Sequence, residues 1–181
     1  MAVRWALVGG LAVSLRAEPR TTRDVDVAVA VEDDRAAERI VRALLELGYR
    51  TEAVLEQTAT ERLATVRFSP PGAATAGILV DLLFATCGIE PEVVAAAVTT
   101  EVLPGKTLPV ATSGHLMALK VLASRHQDLA DFYSLVANTE PLEIDRAREA
   151  LVLIEQRGFS RKKNLVAELE RLLAEPEERL G

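Results

Sequence analysis

At 181 residues, 49% of them hydrophobic and 4% aromatic, the chain suits one domain with a Leu/Val/Ala core and lacks the rings of a base-stacking platform. Its formal net charge of −6 argues against a protein coated in nucleic acid or lying on an anionic membrane, though a local basic patch stays possible. The single cysteine, Cys87, excludes an internal disulfide and a cysteine-rich zinc site, and without a signal peptide or an apolar run of about 18 residues a soluble cytoplasmic protein is expected.

In chain order, Trp5 to Val8 reads as a short strand, Gly9-Gly10 as a turn, and Leu11 to Arg16 as a short helix. A loop from Pro19 through Arg20 and Arg23 leads into a strand at Asp24 to Val31. Asp33-Asp34 open a helix, since negative charge favours a first turn; Ile40, Val41, Leu44 and Leu45 form its apolar stripe and Gly48 stops it. Leu63 to Phe68 alternates as a strand does, Pro70-Pro71-Gly72 is a turn, and Ile78 to Phe84 is a buried strand with Asp81 at its middle. A short helix at Glu92 to Val98 precedes a hairpin, Glu101 to Val110, turning at Pro104-Gly105-Lys106.

Beyond Val110 the pattern turns helical. Thr112 or Ser113 caps a helix carrying Leu116, Leu119, Leu122 and Ala123 on one stripe. Leu129, Phe132, Leu135 and Val136 mark the next helix, and two more follow at Leu142 to Gln156 and Lys163 to Ala174. Two parts are expected: a mixed α+β core over residues 1–111, and a helical segment over 112–181 packed on it.

The chemistry concentrates at Asp24-Val25-Asp26. Side chains at i and i+2 of a strand share a face, so the two carboxylates stand with Cα atoms roughly 6 to 7 Å apart. Like charges so close repel unless a cation joins them, and hard oxygen ligands suit Mg²⁺ or Mn²⁺. Charges guarding an exposed edge strand are the simpler alternative. Asp81, alone in an apolar run, is most cheaply explained by a partner charge or a metal, with a capped or salt-bridged aspartate at a strand end as the alternative. A third carboxylate from a neighbouring strand would complete a two-metal clamp for phosphoryl chemistry.

Glycines opening a helix, as Gly9 and Gly10 do, let a phosphate approach backbone N–H groups, although a tight turn alone also explains them. Arg20 and Arg23 have the bidentate geometry that holds phosphates, or are solvated loop residues. Lys120 sits at the edge of its helix's stripe, with Asp128 and Asp131 following; a snorkelling lysine and a helix-opening aspartate are the ordinary uses. His115 and His126 match no metal spacing and are expected at the surface or near caps. Cys87 has no nucleophile context, and Arg161-Lys162-Lys163 reads as a solvated helix start.

Taken together, Gly9-Gly10, Arg20, Thr22, Asp24-Val25-Asp26 and Asp81 resemble the nucleotidyltransferase superfamily with the DNA polymerase β-like catalytic fold. The segments Val8 to Val13 and Arg20 to Val27, with His115 to Lys120, Arg125 and Asp128 to Asp131, are similar to the AbiEii-type toxins of type IV toxin–antitoxin systems, over roughly residues 3 to 137. The resemblance implies a small mixed sheet flanked by helices, Mg²⁺ (or Mn²⁺), and transfer of a nucleoside monophosphate from a bound NTP such as ATP to an acceptor hydroxyl. It implies Asp24 and Asp26 as metal ligands, Asp81 as a third carboxylate that helps deprotonate the acceptor, Lys120 at the triphosphate and Asp128 as a further acid of the motif. Gly10 stands where many superfamily members carry serine, which leaves the backbone N–H groups to meet a phosphate. The implied acceptor is RNA such as a tRNA 3′ end, and the implied partner an antitoxin protein. A small antibiotic-type acceptor, or a module that only binds a nucleotide or partner protein, are the other readings.

Overall fold

Trp5–Val8 forms β1 and runs directly into α1, Gly9–Arg16, because Gly9 takes a φ of +65° that lets the chain turn from strand to helix without a cap. The computed structural model describes residues 3–57, 62–72 and 77–175. Next come β2 (Asp24–Val29), α2 (Asp34–Glu46), β3 (Arg50–Gln57), β4 (Arg62–Ser69), β5 (Leu79–Leu83) and α3 (Glu90–Ala95). The hairpin β6 (Val98–Leu103) and β7 (Lys106–Val110) leads to four helices: α4 (Ser113–Ala123), α5 (His126–Ala137), α6 (Pro141–Gln156) and α7 (Leu165–Ala174).

The strands form one mixed sheet in the order β3-β4-β5-β2-β1-β7-β6. The β2–β5 and β1–β7 pairs are parallel and the others antiparallel. Alternation along β2 divides the molecule into layers. Val29 joins Val66, Phe68 and Leu82 beneath Ala37 and Ile40 of α2. Ala28, on the opposite face, belongs to the larger core built with Leu116, Met117, Phe132, Leu151 and Leu169 of the C-terminal helices. Asp26, two residues before Ala28, therefore emerges toward the helical layer.

Most elements begin and end within two residues of the periodicity's bounds. Asp33 caps α2 by accepting from Ala36 N–H, and Thr112 rather than Ser113 caps α4 by accepting from His115 N–H. The helix expected at Glu92 to Val98 starts earlier, at Glu90, because Pro91 is suited to a first turn; Val98 already belongs to β6. Sequence periodicity gives no strand for Arg50–Gln57, yet β3 forms there as the outer edge of the sheet. Seven of its eight residues are exposed, so no buried face imposes an alternation. His115 takes the cap position of the two expected for it, not the surface one: it is buried at the start of α4, with Nδ1 3.0 Å from the hydroxyl of the capping Thr112. No helix among the described residues is long and apolar enough to cross a membrane.

Candidate active site

A cleft of about 440 Å³ opens between the helical-side face of the sheet and α4, lined by Val8, Gly9, Asp26, Asp81, Lys120 and Asp128 among others. Sheet register assembles its acidic side. Asp26 lies opposite Val8 on β1 and opposite Asp81 on β5, while Asp81 faces Arg67 across the antiparallel β4–β5 pair. Asp24 sits two residues earlier on the same face of β2, opposite Leu79; it is not among the cleft's lining residues, but its charge acts on Asp26.

The carboxylates differ in what holds them. Asp81 accepts Arg67 Nε at 2.7 Å and Nη2 at 2.6 Å. Asp128 accepts Lys120 Nζ at 3.0 Å and Arg125 Nε at 2.6 Å. Asp131 accepts Arg20 Nε at 2.6 Å and Nη2 at 2.8 Å, with Lys120 Nζ at 2.7 Å. Neither Asp24 nor Asp26 has a side-chain hydrogen bond or ion pair among the described residues. Burial, then the charge of Asp81, pushes the Asp26 carboxyl above its usual range; Asp24 adds to this, and Lys120 and Arg125 oppose it. Burial acts to raise Asp128 and Asp131 too, but hydrogen bonds from Arg125 and Lys120 on the first, and from Arg20 and Lys120 on the second, hold both below the usual carboxylate range.

Gly9 opens α1 at the cleft wall, and the N-cap of that helix, Val8, offers no side-chain cap hydrogen bond. Lys120 is buried between Asp128 and Asp131 rather than extended into solvent. Arg20 lies over Gly10 and is committed to Asp131; neither it nor Gly10 lines the cleft. Arg23 is exposed and outside it. The structure thus gathers Gly9, Asp26, Asp81, Lys120 and Asp128 in one cleft, leaves Asp24 at its edge, and sets Gly10, Arg20 and Arg23 behind or beside it.

Two further residues belong here that sequence patterning passes over. Arg67 is one polar position in an alternating strand, and only register sets it against Asp81. Glu90 is buried in the cleft wall, where its Oε1 accepts the backbone N–H groups of Thr86 at 2.6 Å and Cys87 at 2.9 Å. The Glu90-Pro91 pair at a helix start was the available signal. Arg161, read from the sequence as solvated, also lines the cleft. Among the described residues no group of three or more His, Cys, Asp or Glu side chains is already gathered for a metal ion. The two carboxylates without protein cations, Asp24 and Asp26, nevertheless have the donor chemistry and the uncompensated charge that suit a hard divalent ion.

The sequence matches, over residues 2–180, the family described as "Nucleotidyl transferase AbiEii toxin, Type IV TA system". Among solved structures it is similar to an antigenic nucleotidyltransferase-like protein from Paracoccidioides brasiliensis, at 18% identity and TM-score 0.52, covering 93% of this chain and 84% of that one. It is also similar to the antibiotic-resistance factor ANT(2'')-Ia, at 12% identity and TM-score 0.55, covering 86% of this chain and 83% of that one. At these identities the likeness is one of fold. No protein of curated function matches the sequence.

Proposed function

The chain belongs to the AbiEii family of nucleotidyltransferase toxins, and from that premise we propose that it moves a nucleoside monophosphate from an NTP to a hydroxyl of RNA, such as a tRNA 3′ end. The observation that supports the reading is the contrast among carboxylates: Asp81, Asp128 and Asp131 each have a protein cation, whereas Asp24 and Asp26 have no ion pair among the described residues. Asp24 and Asp26 would hold Mg²⁺ or Mn²⁺, with Asp81 as third carboxylate; an ion held there would stabilise the negative charge that builds on the phosphoryl oxygens.

The chain's own residues do the rest. Gly9 leaves room for the Asp26 carboxylate against the start of α1, whose first N–H groups a polyphosphate beside Asp26 can meet. Lys120, whose position is fixed by Asp128 and Asp131, places a positive charge beside that polyphosphate. Asp128, pinned between Lys120 and Arg125, serves as the lysine's anchor. As the acceptor oxygen bonds to the α-phosphorus and pyrophosphate leaves, a carboxylate oxygen of Asp81 takes the hydroxyl proton. Helices α4 to α7, the described part of the segment that begins at residue 112, supply the Lys120 wall to the preceding α+β core. In the family's setting the protein works in the cytoplasm with a cognate antitoxin protein as partner.

The formal charge of −6 favours a second acceptor class, a small cationic molecule. One assay addresses both. The protein is incubated with each α-labelled NTP, Mg²⁺, and either total tRNA or aminoglycoside-type small molecules. Label should pass to tRNA and be lost in the Asp24→Ala/Asp26→Ala variant. Label on the small molecule alone reverses the acceptor. No transfer to anything, or transfer that survives the double substitution, ends the proposal.

A further inference from the structure

Asp81 stands between opposite influences: on β2 its register partner is Asp26, and on β4 it is Arg67. The guanidinium donates to both carboxylate oxygens, a planar two-point match that neutralises the group more fully than one contact would. The two side chains differ in access: Asp81 is 9% exposed and Arg67 40%. The guanidinium approaches from the solvent side, and its departure needs no opening of the core. While the pair is closed, both Asp81 oxygens are taken by the guanidinium, although the Asp81 charge still raises Asp26, and a cation sits beside the place where the Asp24–Asp26 pair calls for one.

We propose that Arg67 is a positioning residue that keeps Asp81 out of the metal site in the nucleotide-free protein, and that opening of the Arg67–Asp81 ion pair admits Asp81 to the divalent ion held by Asp24 and Asp26. The inference rests on the metal-dependent reading above and extends it. Closed, the site offers two free carboxylates and binds a divalent ion weakly; open, it offers three. An incoming metal-bound nucleotide carries the negative phosphates that give Arg67 a replacement partner, so metal and nucleotide binding reinforce one another.

The test is Mn²⁺ binding by the nucleotide-free protein, read from the electron paramagnetic resonance signal of the unbound ion. Arg67→Met removes the guanidinium but keeps an unbranched side chain, and should tighten Mn²⁺ binding about tenfold, in line with the loss of one charge-assisted pairing. Arg67→Gln should tighten it in the same direction and covers the case in which Met perturbs folding. Adding Asp81→Asn to Arg67→Met should return the affinity to the starting value. A purely structural cross-strand pair gives another pattern: lower thermal stability and no gain in Mn²⁺ affinity. That pattern overturns the inference, as does a gain that persists in the Asp81→Asn background or an absence of Mn²⁺ binding in every variant. Transfer activity is scored separately. Intact NMP transfer without the affinity gain removes only the Arg67 inference, while an affinity gain in a protein that transfers nothing removes only the transferase acceptor reading.

Discussion

Gly9 and Asp26 share a space that holds only one side chain: a Cβ built on Gly9 would fall inside the Asp26 carboxylate. The same residue has φ +65°, in the left-handed region that costs other L-residues roughly 1 to 2 kcal/mol. Gly9→Ala therefore adds backbone strain and displaces the carboxylate that lacks a protein cation. Displacement of about 1 Å at a reacting site costs on the order of 100-fold in rate. NMP transfer by Gly9→Ala should fall by at least that factor, while circular dichroism still reports a folded protein with a lowered melting temperature. Near-parental transfer would remove Gly9 from the site.

Lys120 and Asp131 make unequal demands on the fold. Without Lys120, Asp128 keeps Arg125 and Asp131 keeps Arg20, so neither buried carboxylate is stranded. Without Asp131, the Arg20 fork loses both of its side-chain acceptors and Lys120 loses its closer one. Breaking a buried pair from one side costs about 3 kcal/mol or more. In urea unfolding Asp131→Ala should thus be the more destabilised variant and Lys120→Met the milder. In transfer assays Lys120→Met should lose the larger share of activity per unit of stability lost. An equal loss of stability in both would show that Lys120, not the arginines, carries the compensation.

Legibility in the sequence followed burial. The Asp24 to Val29 strand, the Asp34–Glu46 helix and the four C-terminal helices announced themselves because one face of each is apolar at a fixed period. The β3 strand did not, since an exposed edge imposes no pattern. In the site, the pair within one strand was readable: Asp24 and Asp26 share a face of β2. Lys120 on α4 and the aspartates of α5 were noticed only as neighbours in sequence, and their ion pairs come from the packing of the two helices. Pairings set by register between strands were not. Arg67 and Asp81 are 14 residues apart and meet only because β4 and β5 align them. The pairing of Arg20 with Asp131, 111 residues on, was likewise beyond the reach of any local rule.

Glu90 supports the cleft wall from beneath. Its Oε1 accepts Thr86 N–H, Cys87 N–H and, at 3.4 Å, the Cys87 thiol. Burial first, and then the Glu90 charge, push that thiol well above its usual range. Glu90→Ala leaves two backbone donors without an acceptor in a buried turn, at about 1 to 3 kcal/mol each. The variant should melt several degrees lower, and Cys87 should begin to react with a thiol reagent that leaves the parent protein unlabelled. Equal labelling of parent and variant would mean that the turn does not depend on Glu90.

Acid should weaken the fold before Asp128 and Asp131 lose their contributions, and His115 is the cause. Burial lowers its imidazole to about 4, the Arg146 charge adds to this, and Glu92 opposes it. In the unfolded chain the ring titrates near 6.5. Between these values the unfolded state binds a proton that the folded state refuses, so stability is highest above about pH 6.5 and falls as pH drops toward about 4. A gap of this size corresponds to at most about 3 kcal/mol. Asp128 and Asp131, held below the usual carboxylate range, lose their contributions at lower pH still. Asp26, raised by burial, works in the opposite direction, because its protonation on acidification relieves repulsion in the folded state. Comparing the parent with His115→Gln cancels the carboxylates common to both. The urea midpoint of the parent should decline from pH 7 to pH 4.5, and the His115→Gln profile should be flatter over that window; parallel profiles would place the His115 titration elsewhere.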